Sequence, residues 1–330
     1  MIRKLLVLII VLQYSTMLNG QGMSNLFMSG YACCQPEFGG TNIDFFSGNR
    51  VIDTVSRGMN LDLTLADITD SLGNLLFYTN GIYISDATND TMMNGSGLNP
   101  SLFTNSNYYT GLSFSQGDLI LPFPDHKGQY YLFHFTGDIT SPLICPNKLY
   151  YTIIDMIGNN GLGAVTSKNN IALLDTLHIA GLTACKHANG RDWWISIEEF
   201  NRPGFYTLLL TPAGVNVVHH QQFGSRTTSS AQCFFSQDGT KYSSFESVTG
   251  WEILDFDRCT GLFINLVFIP PPSGCYGFGT SISPDGSKAY ACCNTKVYQV
   301  DLTSSNIPAS LTTVATWDGT YSPYSPFAAT

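Results

Sequence analysis

Ser283-Pro284-Asp285-Gly286-Ser287-Lys288-Ala289-Tyr290 decides the fold, because Ser236-Gln237-Asp238-Gly239-Thr240-Lys241-Tyr242 repeats it almost residue for residue. Asp-Gly supplies the positive φ angles that a tight hairpin requires, and the Asp side chain bonds its own turn. Looser copies lie upstream: Asp70-Ser71-Leu72-Gly73-Asn74-Leu75-Leu76-Phe77-Tyr78, Asp125-His126-Lys127-Gly128-Gln129-Tyr130-Tyr131-Leu132 and His187-Ala188-Asn189-Gly190-Arg191-Asp192-Trp193-Trp194. The turn glycines stand at 73, 128, 190, 239 and 286, spaced by 55, 62, 49 and 47 residues. A period near 50 with one tight turn and flanking apolar strands is the size of a four-stranded propeller blade. A single blade has two apolar faces and buries them only by stacking on its neighbours. The expectation is an all-β chain folded as a β-propeller; a sandwich would not impose this period.

Composition agrees. The chain has 330 residues, with 12% charged, 13% aromatic and 44% hydrophobic. That is about half the usual charged fraction, and it is the opposite of the disorder signature. Apolar runs follow the turns at 75–78, 130–135, 193–197 and 289–292, and stretches with a 3.6-residue period are few, so helix content should be low. A net charge of −9 argues against nucleic acid as a partner, since phosphate backbones require clustered Lys and Arg.

Arg3 and Lys4 precede an unbroken apolar run at 5–12 (LLVLIIVL) and a polar, small-residue stretch at 15–22 (STMLNGQG). This is the layout of a secretory signal peptide, here 1–21, leaving a propeller domain at 22–330. No later apolar run is long enough to span a bilayer. The expected location is secreted, extracellular or at the outer cell surface, with the export machinery as a partner through the signal peptide. Nine cysteines are therefore read in an oxidising setting. None is spaced as CxxC, so a zinc ribbon is not indicated. The adjacent pairs Cys33-Cys34 and Cys292-Cys293 should bridge to distant partners or remain buried thiols. Cys185 and Cys233 stand at equivalent places before their turns and form a candidate disulfide pair across neighbouring strands.

Three stretches, DSLGNLLFYTNG at 70–81, KHANGRDWW at 186–194 and SPDGSKAY at 283–290, resemble large secreted propeller-type proteins of Bacteroidetes bacteria. The resemblance covers nearly all of the chain after the signal peptide. It implies a seven-bladed lactonase-like or WD-type propeller followed by a C-terminal sorting domain for type IX secretion. By count the chain carries five turn units and a sixth beginning near 312–326, without such a tail, so it reads as C-terminally incomplete.

The densest polar cluster is Lys186, His187, Asn189, Arg191 and Asp192, followed by Trp193 and Trp194. Read as a binding site, His187 or Asp192 would act as acid or base, Arg191 would hold an anion and a Trp would stack on a sugar. Read as a hairpin, Asn189-Gly190 is the turn, the charges are its flanks and the tryptophans are blade core, which accounts for every piece. Asp86 and Asp90, with Asn89 and Asn94, are oxygen-rich enough to suggest calcium, although no EF-hand loop is present. No other cofactor is indicated, and no nucleophile elbow, phosphate loop or dinucleotide fingerprint occurs. The leading expectation is a non-enzymatic binding or scaffold propeller with a protein or glycan partner at one face. The alternative is a lactonase-like or glycan-active hydrolase or lyase with its site at the central channel.

Overall fold

The computed structural model of the chain describes residues 25–30, 40–138, 144–223, 232–277 and 279–319. The expected signal peptide, Cys33 and Cys34 lie outside the described residues. The chain opens with a three-stranded sheet, β1 (Leu26–Ser29), β2 (Gly40–Asp44) and β3 (Val51–Val55). A first four-stranded unit follows, β4 (Ala66–Thr69), β5 (Leu75–Thr79), β6 (Tyr83–Asp86) and β7 (Thr91–Ser96). After one short helix, α1 (Leu102–Ser106), the second unit pairs β8 (Asp118–Pro122), β9 (Gln129–His134), β12 (Lys148–Asp155) and β13 (Ala164–Leu174). The two-stranded β10 (Gly137–Asp138) and β11 (Cys145–Pro146) interrupt it. A single parallel bridge, Ala164 to Met93, joins β13 to β7 and fuses these two units into an eight-stranded sheet.

Three further four-stranded antiparallel sheets complete the described chain. They are β14 (Thr183–Lys186) to β17 (Gly214–Gln222) with β15 (Trp193–Glu198) and β16 (Gly204–Thr211) between, then β18 (Gln232–Phe235), β19 (Lys241–Glu246), β20 (Gly250–Asp257) and β21 (Leu262–Ile269). The last comprises β22 (Gly279–Ile282), β23 (Lys288–Cys292), β24 (Lys296–Asp301) and β25 (Thr312–Thr316). This is the expected β-propeller arrangement. Each of the five recurrent turns joins the first and second strands of its unit, so all five lie at one end of the blades. The 312–316 segment, expected to open a sixth unit, is instead the outer strand of the fifth. Without it β24 would present an unpaired edge.

The last two turns are near copies in atomic detail. The Ser236 hydroxyl donates to Asp238 Oδ1 (2.6 Å), and the Ser283 hydroxyl to Asp285 Oδ1 (2.6 Å). Lys241 then pairs with Asp255, and Lys288 with Asp301. The repeated sequence therefore encodes a repeated set of bonds, and each lysine ties the second strand to the third.

Apolar side chains meet between the units. Ile68, Phe77 and Met92 pack on Leu132 and Ile154 between the first and second, and Phe133 and Tyr131 join Ile195 and Leu208 between the second and third. Trp194 and Phe205 meet Tyr242 and Phe263 between the third and fourth, and Phe245 and Trp251 meet Ala289 and Val300 between the last two. Cys185 and Cys233 sit in the same aromatic cluster as Tyr242 with no disulfide between them, correcting the expected bridge. Burial pushes the Cys185 thiol up to about 12, while the Cys233 thiol donates to the Gly181 carbonyl (2.9 Å). The disulfide that does form joins Cys275 to Cys293 and pins the last connection to its blade.

Candidate functional site

Opposite the Asp-Gly turns, the second-to-third-strand turns and the connections between units share the other end of the blades. A cleft of about 350 Å³ opens there beside the first unit, lined by Asn60, Asn80, Tyr83, Ser96, Tyr108 and Tyr109 among others. Its floor is the β5–β6 turn. Asn80 is buried, donates through Nδ2 to the Asn60 carbonyl (2.8 Å) and accepts at Oδ1 from the Ile82 amide (3.1 Å). Gly81 occupies φ +80°, and a Cβ there would lie 2.7 Å from Leu112 Cδ1, so only glycine fits this turn against the 97–117 connection.

That connection builds the rim. Ser101 caps α1 by accepting from the Thr104 amide (3.0 Å), and the chain leaves the helix at Asn107 into Tyr108 and Tyr109. Their rings meet edge to face at 5.3 Å, and they are 57% and 83% exposed. The Asn60 side chain donates to the Tyr109 carbonyl, which fixes the rim to the opposite wall. Tyr83 is half-buried, and burial, with Tyr78 and Tyr108 nearby, pushes its phenol up to about 12.

Behind the cleft runs a buried polar seam between the first two units. His134 Nδ1 donates to Asn99 Oδ1 (2.7 Å), and its Nε2 accepts from the Thr152 hydroxyl (2.8 Å). Burial lowers this imidazole to about 3, so it is neutral. Asn99 in turn donates to the Gly81 carbonyl (3.0 Å), and Asn169 donates to the Gly97 carbonyl (2.9 Å). The cleft walls are thus tied to the second unit through Asn169 of β13 and through Asn99 of the connection, which His134 holds. Asp118, opposite His134 in the β8–β9 ladder, is fully buried, and neither carboxyl oxygen has a hydrogen-bond partner. Burial pushes it up to about 8. The Gly81 amide offsets this only slightly, being committed to Thr79 Oγ1 (3.0 Å).

The Gln116 side chain pairs with both backbone groups of Cys233, donating to its carbonyl (2.7 Å) and accepting from its amide (2.9 Å). This amide ties the second unit to the fourth across the start of the third. Among the described residues no group of three or more His, Cys, Asp or Glu could hold a metal ion.

The residues singled out from sequence lie at the other end. Lys186 rests its ammonium over the Trp193 ring (3.6 Å) and donates to the Arg191 carbonyl (2.9 Å). Arg191 pairs with Asp192 (2.8 Å) and reaches Asp125 of the second unit (3.2 Å). The His187 ring accepts from the Asn189 amide (3.0 Å). Arg258 from the fourth unit donates to the carbonyls of Lys186 (2.7 Å), His187 (3.2 Å) and Asp238 (2.7 Å). The polar groups of this cluster bond one another across three units.

Asp86 and Asp90 flank the β6–β7 turn. Asp86 Oδ1 accepts from the amide (2.8 Å) and hydroxyl (2.6 Å) of Thr88, and the Asp86 amide donates to the Asp90 carbonyl (2.9 Å). Sequence reading missed the cleft. Its only linear signals are Tyr108-Tyr109 and the longer 97–117 connection. Glu199, whose adjacency to Glu198 indicates no paired-carboxylate geometry in the sequence, is buried and accepts from Arg202 (2.9 Å) while holding His220 Nε2 (3.0 Å), with that ring stacked on Tyr206 at 4.1 Å.

No family model matches the chain, and no curated protein matches it. Among solved structures, the fold resembles a putative 6-phosphogluconolactonase of Bacteroides uniformis. That protein is 12% identical, with a TM-score of 0.51 over 88% of this chain and 81% of that one. A protein of Lactobacillus plantarum is also 12% identical, with a TM-score of 0.49 over 89% and 82%. The β-propeller domain of Cps50 (Swd1) from Myceliophteria thermophila is 9% identical, with a TM-score of 0.45 over 86% and 81%. At such identities the likeness concerns the fold alone.

Proposed function

We propose that this chain is an exported propeller that works as a binding module for a protein or glycan, with its recognition surface at the cleft end of the blades. The observation that carries this reading is the contrast between the two ends. At the Asp-Gly end the polar side chains bond one another, whereas at the cleft Tyr108 and Tyr109 stand exposed beside hydroxyl groups that bond no described residue. Exposed aromatics with a few placed polar groups are the makings of a recognition site. The signal-peptide layout and the resemblance to exported Bacteroidetes propellers favour action outside the cell, at its surface or released from it. The test is a binding screen of the full chain against arrayed glycans and extracellular protein domains, repeated with Tyr109→Ala. Binding weakened by about tenfold in the variant is expected for a Tyr anchor; equal binding by both proteins overturns the assignment of the surface.

A second reading, a lactone hydrolase, is favoured by the likeness to the Bacteroides uniformis protein and by the unpartnered carboxyl of Asp118. Asp118 lies behind the cleft wall and is not among its lining residues. This reading predicts turnover of a δ-lactone, followed by pH-stat, that Asp118→Asn abolishes. Turnover equal to the uncatalysed rate removes it.

A further inference from the structure

The cleft has a chemical character that narrows what it can hold, on the premise that it is the recognition surface. None of its ten lining residues is charged, in a chain whose net charge is −9. The hydroxyls of Tyr83, Thr91, Ser96, Tyr108 and Tyr109 and the Oδ1 of Asn60 make no hydrogen bond to any described residue. Lys168 reaches the same wall, but its ammonium donates to the backbone carbonyls of Asn94 (3.0 Å) and Ser96. A carboxylate, phosphate or ammonium ligand entering here would lose water without meeting an opposite charge, which is costly. Hydroxyl groups both donate and accept, so they match a ligand that is itself built of hydroxyls. The two exposed tyrosine rings add flat apolar area for the C–H faces of such a ligand.

We infer that the cleft binds a neutral, polyhydroxylated ligand, a stretch of uncharged glycan, laid against Tyr109 and Tyr108 and hydrogen-bonded by the hydroxyls of Tyr83, Thr91 and Ser96. Because no lining residue carries a charge and the Tyr83 phenol is held protonated, binding is insensitive to salt and, below the range in which Asp118 behind the β5–β6 turn ionises, to pH between 5 and 7. Asn80 acts as a positioning residue: it sets Asn60 and the β5–β6 turn, and its amide is engaged at both its nitrogen and its oxygen.

The test is calorimetric titration of the full chain with cellohexaose, xylohexaose, maltohexaose and mannohexaose, and in parallel with oligogalacturonate of the same length. The expected result is that at least one neutral hexasaccharide binds, with an affinity that changes less than twofold between 50 and 500 mM NaCl and from pH 5 to 7. Tyr109→Ala should weaken it about tenfold, while Tyr109→Phe, which keeps the ring, should restore most of it. Tyr109 is so exposed that neither substitution should shift the melting temperature. Preference for oligogalacturonate, a steep salt dependence or full affinity in Tyr109→Ala each overturns the inference. Failure of every saccharide, with a protein domain captured in the array screen, overturns it but leaves the binding-module reading standing. Failure of both arms overturns both.

Discussion

Asp118→Asn is the sharpest perturbation of this structure. The carboxyl is buried with neither oxygen bonded, and burial holds it at about 8 against 3.8 in the unfolded chain. The folded value is raised, so the protein keeps a proton that the unfolded chain releases above pH 3.8. The stability tied to that proton is fully present below 3.8 and is lost as pH rises towards 8. Across pH 5 to 8 the ceiling is about 4 kcal/mol, at about 1.4 kcal/mol per unit. Local opening that hydrates the carboxyl reduces the observable part to about 2 kcal/mol. Asparagine has the same shape and no proton to lose, so the melting temperature of the variant relative to wild type should climb between pH 5 and 8 by about 4 °C and level off above. Asp67, pushed up by burial to about 7, titrates in both proteins and cancels in the difference. Paired thermal melts at half-unit steps of pH read this directly. Profiles that stay parallel from pH 5 to 8.5 would refute the claim that Asp118 is buried as a neutral acid.

His134 has the opposite sign: lowered to about 3 from 6.5, it contributes stability above pH 6.5 that is lost as pH falls towards 3, and His134→Gln should flatten that acid limb in the same melts. Arg258→Ala removes three hydrogen bonds to carbonyls of two other strand turns and should cost about 2–4 kcal/mol in urea unfolding; a loss under about 0.5 kcal/mol would mean the clasp is idle. Gln116→Glu sets a carboxylate oxygen against the Cys233 carbonyl and should cost about 2 kcal/mol at pH 8, more than Gln116→Ala by the same measurement. Gly81→Ala forces a side chain into positive φ and against Leu112, and should lose about 1–3 kcal/mol, with glycan affinity falling alongside. Reducing the Cys275–Cys293 bridge should cost about 3 kcal/mol, seen as earlier proteolysis of the last blade on adding dithiothreitol.

The recurrent turns were legible in the chain because they are local. Asp285-Gly286 and Asp238-Gly239 close their hairpins with atoms no more than a few residues apart, so each copy carries its own instructions and their period reports the blade. The alternation of apolar residues after each turn follows from the same short-range geometry. The cleft was not legible, because its walls come from 58–60, 80–83, 91–97 and 108–109, and nothing in the linear order announces that Asn60 will reach the Tyr109 carbonyl. The disulfide was misplaced for a related reason: equivalent positions in successive blades put Cys185 and Cys233 in one cluster, but sulfur pairing depends on side-chain direction, which the spacing does not encode. The 312–316 strand likewise has the sequence of any edge strand, and only its pairing with β24 assigns it to the fifth unit.

The repeating β architecture, the recurrent turn of each blade and the Arg191–Asp192 pair beside one of those turns are legible in the sequence, since each is set within one hairpin. Tertiary structure decided which end of the blades carries the cleft, that Asp118 and His134 are both buried, and that Gln116 is tied to Cys233 of the fourth unit. Those properties depend on burial and on contacts between residues up to 117 positions apart. Desolvation and long-range packing are properties of the assembled blades, which no single repeat contains.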